Sequence, residues 1–243
     1  MKKIYLMISL LAILFVGCSK NPSNPASDNK DNPEQKKESD NLIVKKVKII
    51  DSLLGKSAES AKSELKGQGW NFLENESAYG GGDKGLYTFE GTEGKHSTAL
   101  MVIVDETKDK VFYVEYQLYA PSLDKAYTSL DFYKEMFNEL TETYTLSTGE
   151  KCKFRNIITW DAENIYDTYS AAVANLDKVY NNPEGFQCSW TNEKLTEEEE
   201  QFYYFEYLSE GMMSGLYINH DYFQGQEYLS AGIASAKYRT QMY

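Results

Sequence analysis

Thr98-Ala99-Leu100-Met101-Val102-Ile103-Val104 and Val111-Phe112-Tyr113-Val114-Glu115-Tyr116-Gln117-Leu118-Tyr119 are two strand-forming runs separated by the polar residues 105–110. Branched and aromatic side chains favour a pleated chain, and so short a polar link returns the second run antiparallel to the first. Alternation puts Val111, Tyr113, Glu115, Gln117 and Tyr119 on one side and Phe112, Val114, Tyr116 and Leu118 on the other, with the second set expected to bury. An antiparallel hairpin of this kind needs helices or a second sheet to cover its apolar face.

Helical candidates flank it. Ile43, Val44, Val47, Ile49 and Ile50 suit a short strand or a helical shoulder. Ser57 can cap a helix bearing Ala58, Ala61 and Leu65, which Gly67 and Gly69 stop. Asp131 is placed to cap another carrying Tyr133, Phe137 and Leu140, widened by Phe132 and Met136. Over residues 162–180, Ile165, Tyr169, Ala172, Val173, Leu176 and Tyr180 follow helical spacing between Asp161 and Asn181-Asn182-Pro183. Further strands are expected at Trp70 to Phe72, Leu86 to Phe89, Phe154 to Trp160, Phe186 to Trp190, Phe202 to Leu208 and Leu216 to Phe223.

The fold class is therefore α+β, with short helices packed on antiparallel β-sheet. The order helix, short strand, loop and sheet recurs around residues 57–119 and 162–223. It suggests two repeated helix-plus-sheet units, 42–126 and 127–243, with separate cores or one shared core.

Lys2 and Lys3 precede an apolar run from Ile4 to Val16, which is too short for an ordinary membrane span and suits the core of an export signal. The run ends in Phe15-Val16-Gly17-Cys18. This arrangement resembles the signal and lipobox of bacterial lipoproteins. The resemblance implies that residues 1–17 are removed and that acyl groups on Cys18 hold the chain on a membrane; Ser19 after the cysteine implies outer-membrane sorting. Residues 18–41, with Pro22, Pro25 and Pro33 and almost no large apolar group, then form a lipidated flexible tether.

The formal charge of the whole chain is -12, and removing residues 1–17, which carry two lysines and no acid, takes it to -14. A phosphate backbone would be repelled, so nucleic acid is a poor partner. Two histidines and three cysteines are too few for a zinc-rich or iron–sulfur architecture, and no cofactor is expected. Asp105, Glu106 and Asp109 lack the spacing of a calcium loop, Gly80-Gly81-Gly82 lacks the rest of a phosphate loop, and Glu197 to Glu200 read as a solvated turn.

Cys152 and Cys188 remain once Cys18 is assigned to lipid; they either pair as a disulfide or stay as separately buried thiols. His96 beside Ser97 and His220 beside Asp221 could transfer protons, although neighbours in a strand face opposite ways and no serine sits in a nucleophile-elbow motif. No catalytic residue is assigned. Tyrosine is abundant at 20 residues, and Tyr113, Tyr119, Tyr204, Tyr217 and Tyr222 are candidates for a surface facing an envelope protein or glycan. The expectation is an envelope-anchored, non-enzymatic binding or protein-interaction module. A hydrolase acting on envelope polysaccharide or peptide, and a structural spacer, are the alternatives.

Overall fold

The computed structural model describes residues 40–74, 79–80, 84–193 and 204–240, and these form one compact unit. The leader, the tether up to residue 39, Gly81-Gly82 and the four glutamates Glu197 to Glu200 lie outside the described residues.

Eleven strands among the described residues join in one sheet, and every pairing is antiparallel. They are β1 (Asn71–Phe72), β2 (Tyr79–Gly80), β3 (Lys84–Glu93), β4 (His96–Asp105), β5 (Lys110–Ala120), β6 (Thr143–Thr145), β7 (Lys151–Thr159), β8 (Ile165–Tyr166), β9 (Gly185–Thr191), β10 (Gly215–Phe223) and β11 (Gln226–Ala234). Their order is β1-β3-β4-β5-β11-β10-β9-β7-β6, with β2 beside β3 and β8 beside β7. The meanders β3-β4-β5 and β9-β10-β11 thus meet at the β5–β11 seam. The passage near residue 120 runs within one sheet, and the apolar core on the helix side draws on both meanders, from Ile43 to Ile233.

The helices are α1 (Leu42–Asp51), α2 (Ala58–Gly67), α3 (Lys125–Thr128), α4 (Leu130–Leu140), α5 (Tyr169–Ala174), α6 (Leu176–Tyr180) and α7 (Tyr204–Ser209). The composition of α1 is rich in β-branched residues and intrinsically suits a strand as well as a helix. Helix wins because the Asn41 side chain accepts from the Ile43 and Val44 N–H groups at 3.1 and 3.3 Å, and because Ile43, Val44, Val47 and Ile50 then share one buried face. That face packs on β5 and β11 in the middle of the sheet. Full burial of four such side chains contributes on the order of 1.5–3 kcal/mol each, before conformational entropy is counted.

Several local readings are corrected by tertiary context. The helix expected over residues 162–180 is interrupted: β8 pairs with β7, Thr168 caps α5, and Asn175 ends it by donating to the Ala171 carbonyl at 2.9 Å. Asp161 instead braces a turn, accepting from Thr159 Oγ1 and Asn182 Nδ2, each at 2.6 Å. Ser129, rather than Asp131, caps α4 by accepting from Phe132 N–H at 3.2 Å. The aromatic stretch expected as a strand at 202–208 is helical over Tyr204–Ser209, where Leu208 is drawn into a small apolar cluster.

A bulge also changes the hairpin. Ile103 pairs with Tyr113 but Val104 with Val111, so Phe112 is the extra residue. Val111 consequently joins the helix-side core while Phe112 turns to the far side with Tyr113. On that far side, Leu208 and Met213 pack with Phe112, Tyr113, Tyr217 and Ala234.

Candidate functional site

Alternation along β5, β11 and β10 sends a second set of side chains to the sheet face away from α1, and the register lines them up in rows. Glu115, Gly232 and Tyr217 form one row, Gln117, Ser230 and Asn219 the next, and Tyr119, Tyr228 and Asp221 the third. Moving along the strands, this face changes from sealed to half-exposed.

The first row is closed. Gly232 has no side chain, and the Tyr217 ring lies where a Cβ would be, so the glycine is required by close approach. The Tyr217 hydroxyl reaches Tyr113 Oη at 2.9 Å, Tyr113 Oη donates to Glu115 Oε2 at 2.8 Å, and Gln117 Nε2 donates to Glu115 Oε1 at 2.9 Å. Burial raises the Glu115 carboxyl above the usual range, against the hydrogen bonds it accepts from Gln117 and the two tyrosines. Tyr113 and Tyr217 are 1% and 0% exposed, which removes both from the expected binding surface. Their hydroxyls satisfy a buried acid, and their rings fill the far-side cluster.

The second and third rows form a strip. Ser230 is buried, Gln117 and Asn219 are half-buried, and Asn219 Oδ1 is shielded from solvent with no hydrogen-bond partner. Such an oxygen costs about 1–3 kcal/mol if nothing donates to it, and it lies in the floor of a polar row. Next to it, cross-strand partners Tyr119 and Tyr228 stack at 5.8 Å between centroids and 25° between planes, both partly exposed. Asp221 completes the row; burial raises its carboxyl, against the Tyr222 N–H that donates to it at 2.6 Å and the nearby His220. These three rows contain no lysine, arginine or histidine.

The other expected tyrosines do not join this strip. Tyr222 is 48% exposed but points to the helix side, where its hydroxyl donates to Glu227 Oε1 at 3.1 Å. Tyr204 belongs to α7, and its side chain lies outside the described part. Tyr119 is thus the expected residue found at the strip, joined by Tyr228, Asn219 and Ser230, which sequence reasoning did not place. The usable signal was the alternation of Leu229, Ala231 and Ile233 with Tyr228, Ser230 and Gly232.

Both histidines face the helix side at the same end of the sheet. His220 Nε2 donates to Glu227 Oε1 at 2.9 Å, and Glu227 Oε2 accepts from Leu123 N–H at 2.7 Å. Burial opposes ionisation of Glu227, yet the His220 and Leu123 hydrogen bonds and the His220 charge outweigh it and lower the carboxyl to about 2. His96 Nε2 lies 3.1 Å from Asp124 Oδ2, whose other oxygen is 2.8 Å from Lys95 Nζ. Hydrogen bonds with Lys95 and His96 lower Asp124. Leu123 and Asp124 both belong to the link from β5 to α3, so Glu227 holds this connection to β11 while His96 on β4 lies against it. The His220 ring, 4% exposed, packs among Tyr133, Phe186 and Tyr222. The Glu227 carboxylate is occupied in holding chain, which suits a brace better than proton transfer to a substrate.

The cysteines are separate buried thiols. Cys188 lies opposite Ile157, five residues along β7 from Cys152. At about 3.3 Å per residue this is on the order of 15 Å, while a disulfide needs Cα atoms within about 7 Å. Their Sγ atoms instead donate to the carbonyls of Ser214 at 3.7 Å and Ile218 at 3.6 Å. Burial, reinforced by Glu150 and Asp51, pushes the Cys152 thiol up to about 12, an unreactive state.

Among the described residues, no group of three or more His, Cys, Asp or Glu side chains is arranged to hold a metal ion. No described helix is long and apolar enough to cross a membrane. Asp105 and Asp109, from the acidic hairpin turn, serve the fold: Asp105 pairs with Arg239 at 3.1 Å, and Asp109 accepts from Ala58 N–H at 3.0 Å. The chain matches no protein-family model, no curated protein and no solved structure.

Proposed function

We propose that this chain is an envelope lipoprotein, anchored through Cys18 on the outer membrane, whose α+β domain is a binding module using the far face of its sheet. The observation that carries the binding role is the strip itself: a partly exposed Tyr119–Tyr228 stack beside a half-buried polar row with an unpartnered Asn219 Oδ1. Aromatic faces supply contact area at low conformational cost, and a few fixed polar groups supply orientation. The anchoring role is supported by Lys2-Lys3, the Ile4–Val16 run and Gly17-Cys18. A lipid is also the attachment that a -14 mature chain requires, since such a chain has no net attraction to an anionic surface.

Two measurements test the proposal. Radiolabelled palmitate should enter the wild-type chain and be absent from Cys18→Ala; equal labelling would refute the anchor. Immobilised full chain should retain a component of solubilised envelope that a Tyr119→Ser/Tyr228→Ser variant releases. Retention indifferent to both tyrosines, or none at all, would refute the strip as the binding surface.

A further inference from the structure

The three rows at the β5–β11–β10 seam carry chemistry that is selective about its ligand. Phosphate or another polyanion would meet Asp221 with no cation in the rows to offset it. An extended apolar peptide would bury Gln117, Ser230 and Asn219 without replacing their hydrogen bonds with water. A ligand that is uncharged, dense in hydroxyls and flat on one apolar face meets both halves. Its C–H face covers an aromatic ring, and its hydroxyls donate to and accept from amides.

The geometry repeats in a way that suits a chain of such units. Tyr119 and Tyr228 are direct cross-strand neighbours, and strands run about 4.8 Å apart. Gln117, Ser230 and Asn219 run parallel to them one row inward. A ligand lying across the strands meets rings along one edge and polar groups along the other. A turn of the half-buried Asn219 amide that brings Oδ1 to the surface lets it accept from a ligand hydroxyl at no cost in internal hydrogen bonds, since the shielded oxygen has no donor in the free protein.

We infer that the strip formed by Tyr119, Tyr228, Gln117, Ser230, Asn219 and Asp221 binds a neutral saccharide chain laid across β5, β11 and β10. This rests on the binding-module reading above and adds the ligand class. Stacking loss at one ring predicts at least a tenfold weakening. Removing Asn219 Oδ1 predicts a similar loss of binding without loss of stability, because the oxygen is unsatisfied in the free protein.

The full chain, held in a zwitterionic detergent so that no sugar headgroup competes, is titrated calorimetrically with neutral hexaoses of glucose, mannose, xylose and N-acetylglucosamine, and with hexagalacturonate as the anionic control. At least one neutral hexaose is expected to bind at millimolar concentration or below while the anionic one does not. Tyr228→Ala is expected to weaken binding tenfold or more, and Asn219→Leu to do the same with an unchanged or higher Tm. Amide shifts in wild-type protein, which need no variant, are expected to gather at residues 117–119, 219–221 and 228–230.

Absence of binding by every neutral hexaose, shifts elsewhere, or tighter binding of hexagalacturonate would overturn the inference. Envelope protein still retained through the two tyrosines, with no hexaose bound, overturns the ligand class and leaves the binding module standing. Loss of both removes the module as well.

Discussion

Glu115 and Glu227 stand on adjacent strands of one sheet, on opposite faces, at 3% and 5% exposure, yet their environments push them in opposite directions. Glu115 is surrounded by neutral donors, two phenols and an amide, so desolvation prevails and the carboxyl rises. Glu227 has an imidazole and a backbone N–H, and its carboxyl falls to about 2 despite desolvation. Burial alone therefore does not set the charge of a buried acid; the donors do. The Glu227 end is built to keep a charge and to clamp a connection. The Glu115 end seals the sheet face, against which the half-exposed strip begins.

The largest disturbance should come from the sealed side. Gly232→Ala forces the Tyr217 ring off its place and breaks its hydrogen bond with Tyr113, for an expected loss of about 2–4 kcal/mol from overpacking and a lost hydrogen bond, read by urea denaturation. A loss under 1 kcal/mol would show that the ring has another seat.

Next in size is Glu227→Gln, which removes the charge held by His220 and Leu123 and should cost about 1.5–3 kcal/mol at pH 7. Because the folded carboxyl lies at about 2, below its ordinary 4.5, its contribution is present above 4.5 and lost as pH falls from there through 2. The variant should show a flatter stability curve across that window.

Glu115→Gln should behave oppositely. A raised carboxyl contributes fully below 4.5 and loses that contribution as pH rises through its folded value, so the amide variant should gain on wild type as pH rises above 4.5. If both glutamine variants lose stability at pH 7 and gain it at pH 3, the proposed contrast is wrong.

The smallest effect concerns the thiols. Without reductant, alkylation should modify Cys152 and Cys188 only after unfolding, and a mass matching a 152–188 bridge would contradict their separation along the sheet.

Much of the fold was legible residue by residue. The β4–β5 hairpin, the Ser57 cap and the apolar stripe of α4 all follow from side-chain type and spacing, because each depends on neighbours close in sequence. What escaped was set at a distance. Strand β11 is poor in residues that favour strands, with Ser230, Ala231, Gly232 and Ala234 in its second half, since it is squeezed between α1 on one face and the Tyr217 ring on the other. Abundance alone does not place a tyrosine, because hydroxyl-bearing rings serve interiors and surfaces equally well: Tyr113 and Tyr217 are sealed, while Tyr119 and Tyr222 are partly or largely exposed.

From its amino acids alone the chain specified an antiparallel hairpin, amphipathic helices to cover it and an acidic surface, all consequences of local periodicity and charge. Tertiary structure decided which buried acid is pushed up and which down, which tyrosines are sealed and which meet solvent, and that Cys152 and Cys188 stay apart. These depend on strand register and on a one-residue bulge, and a shift of one residue in a strand exchanges its two faces.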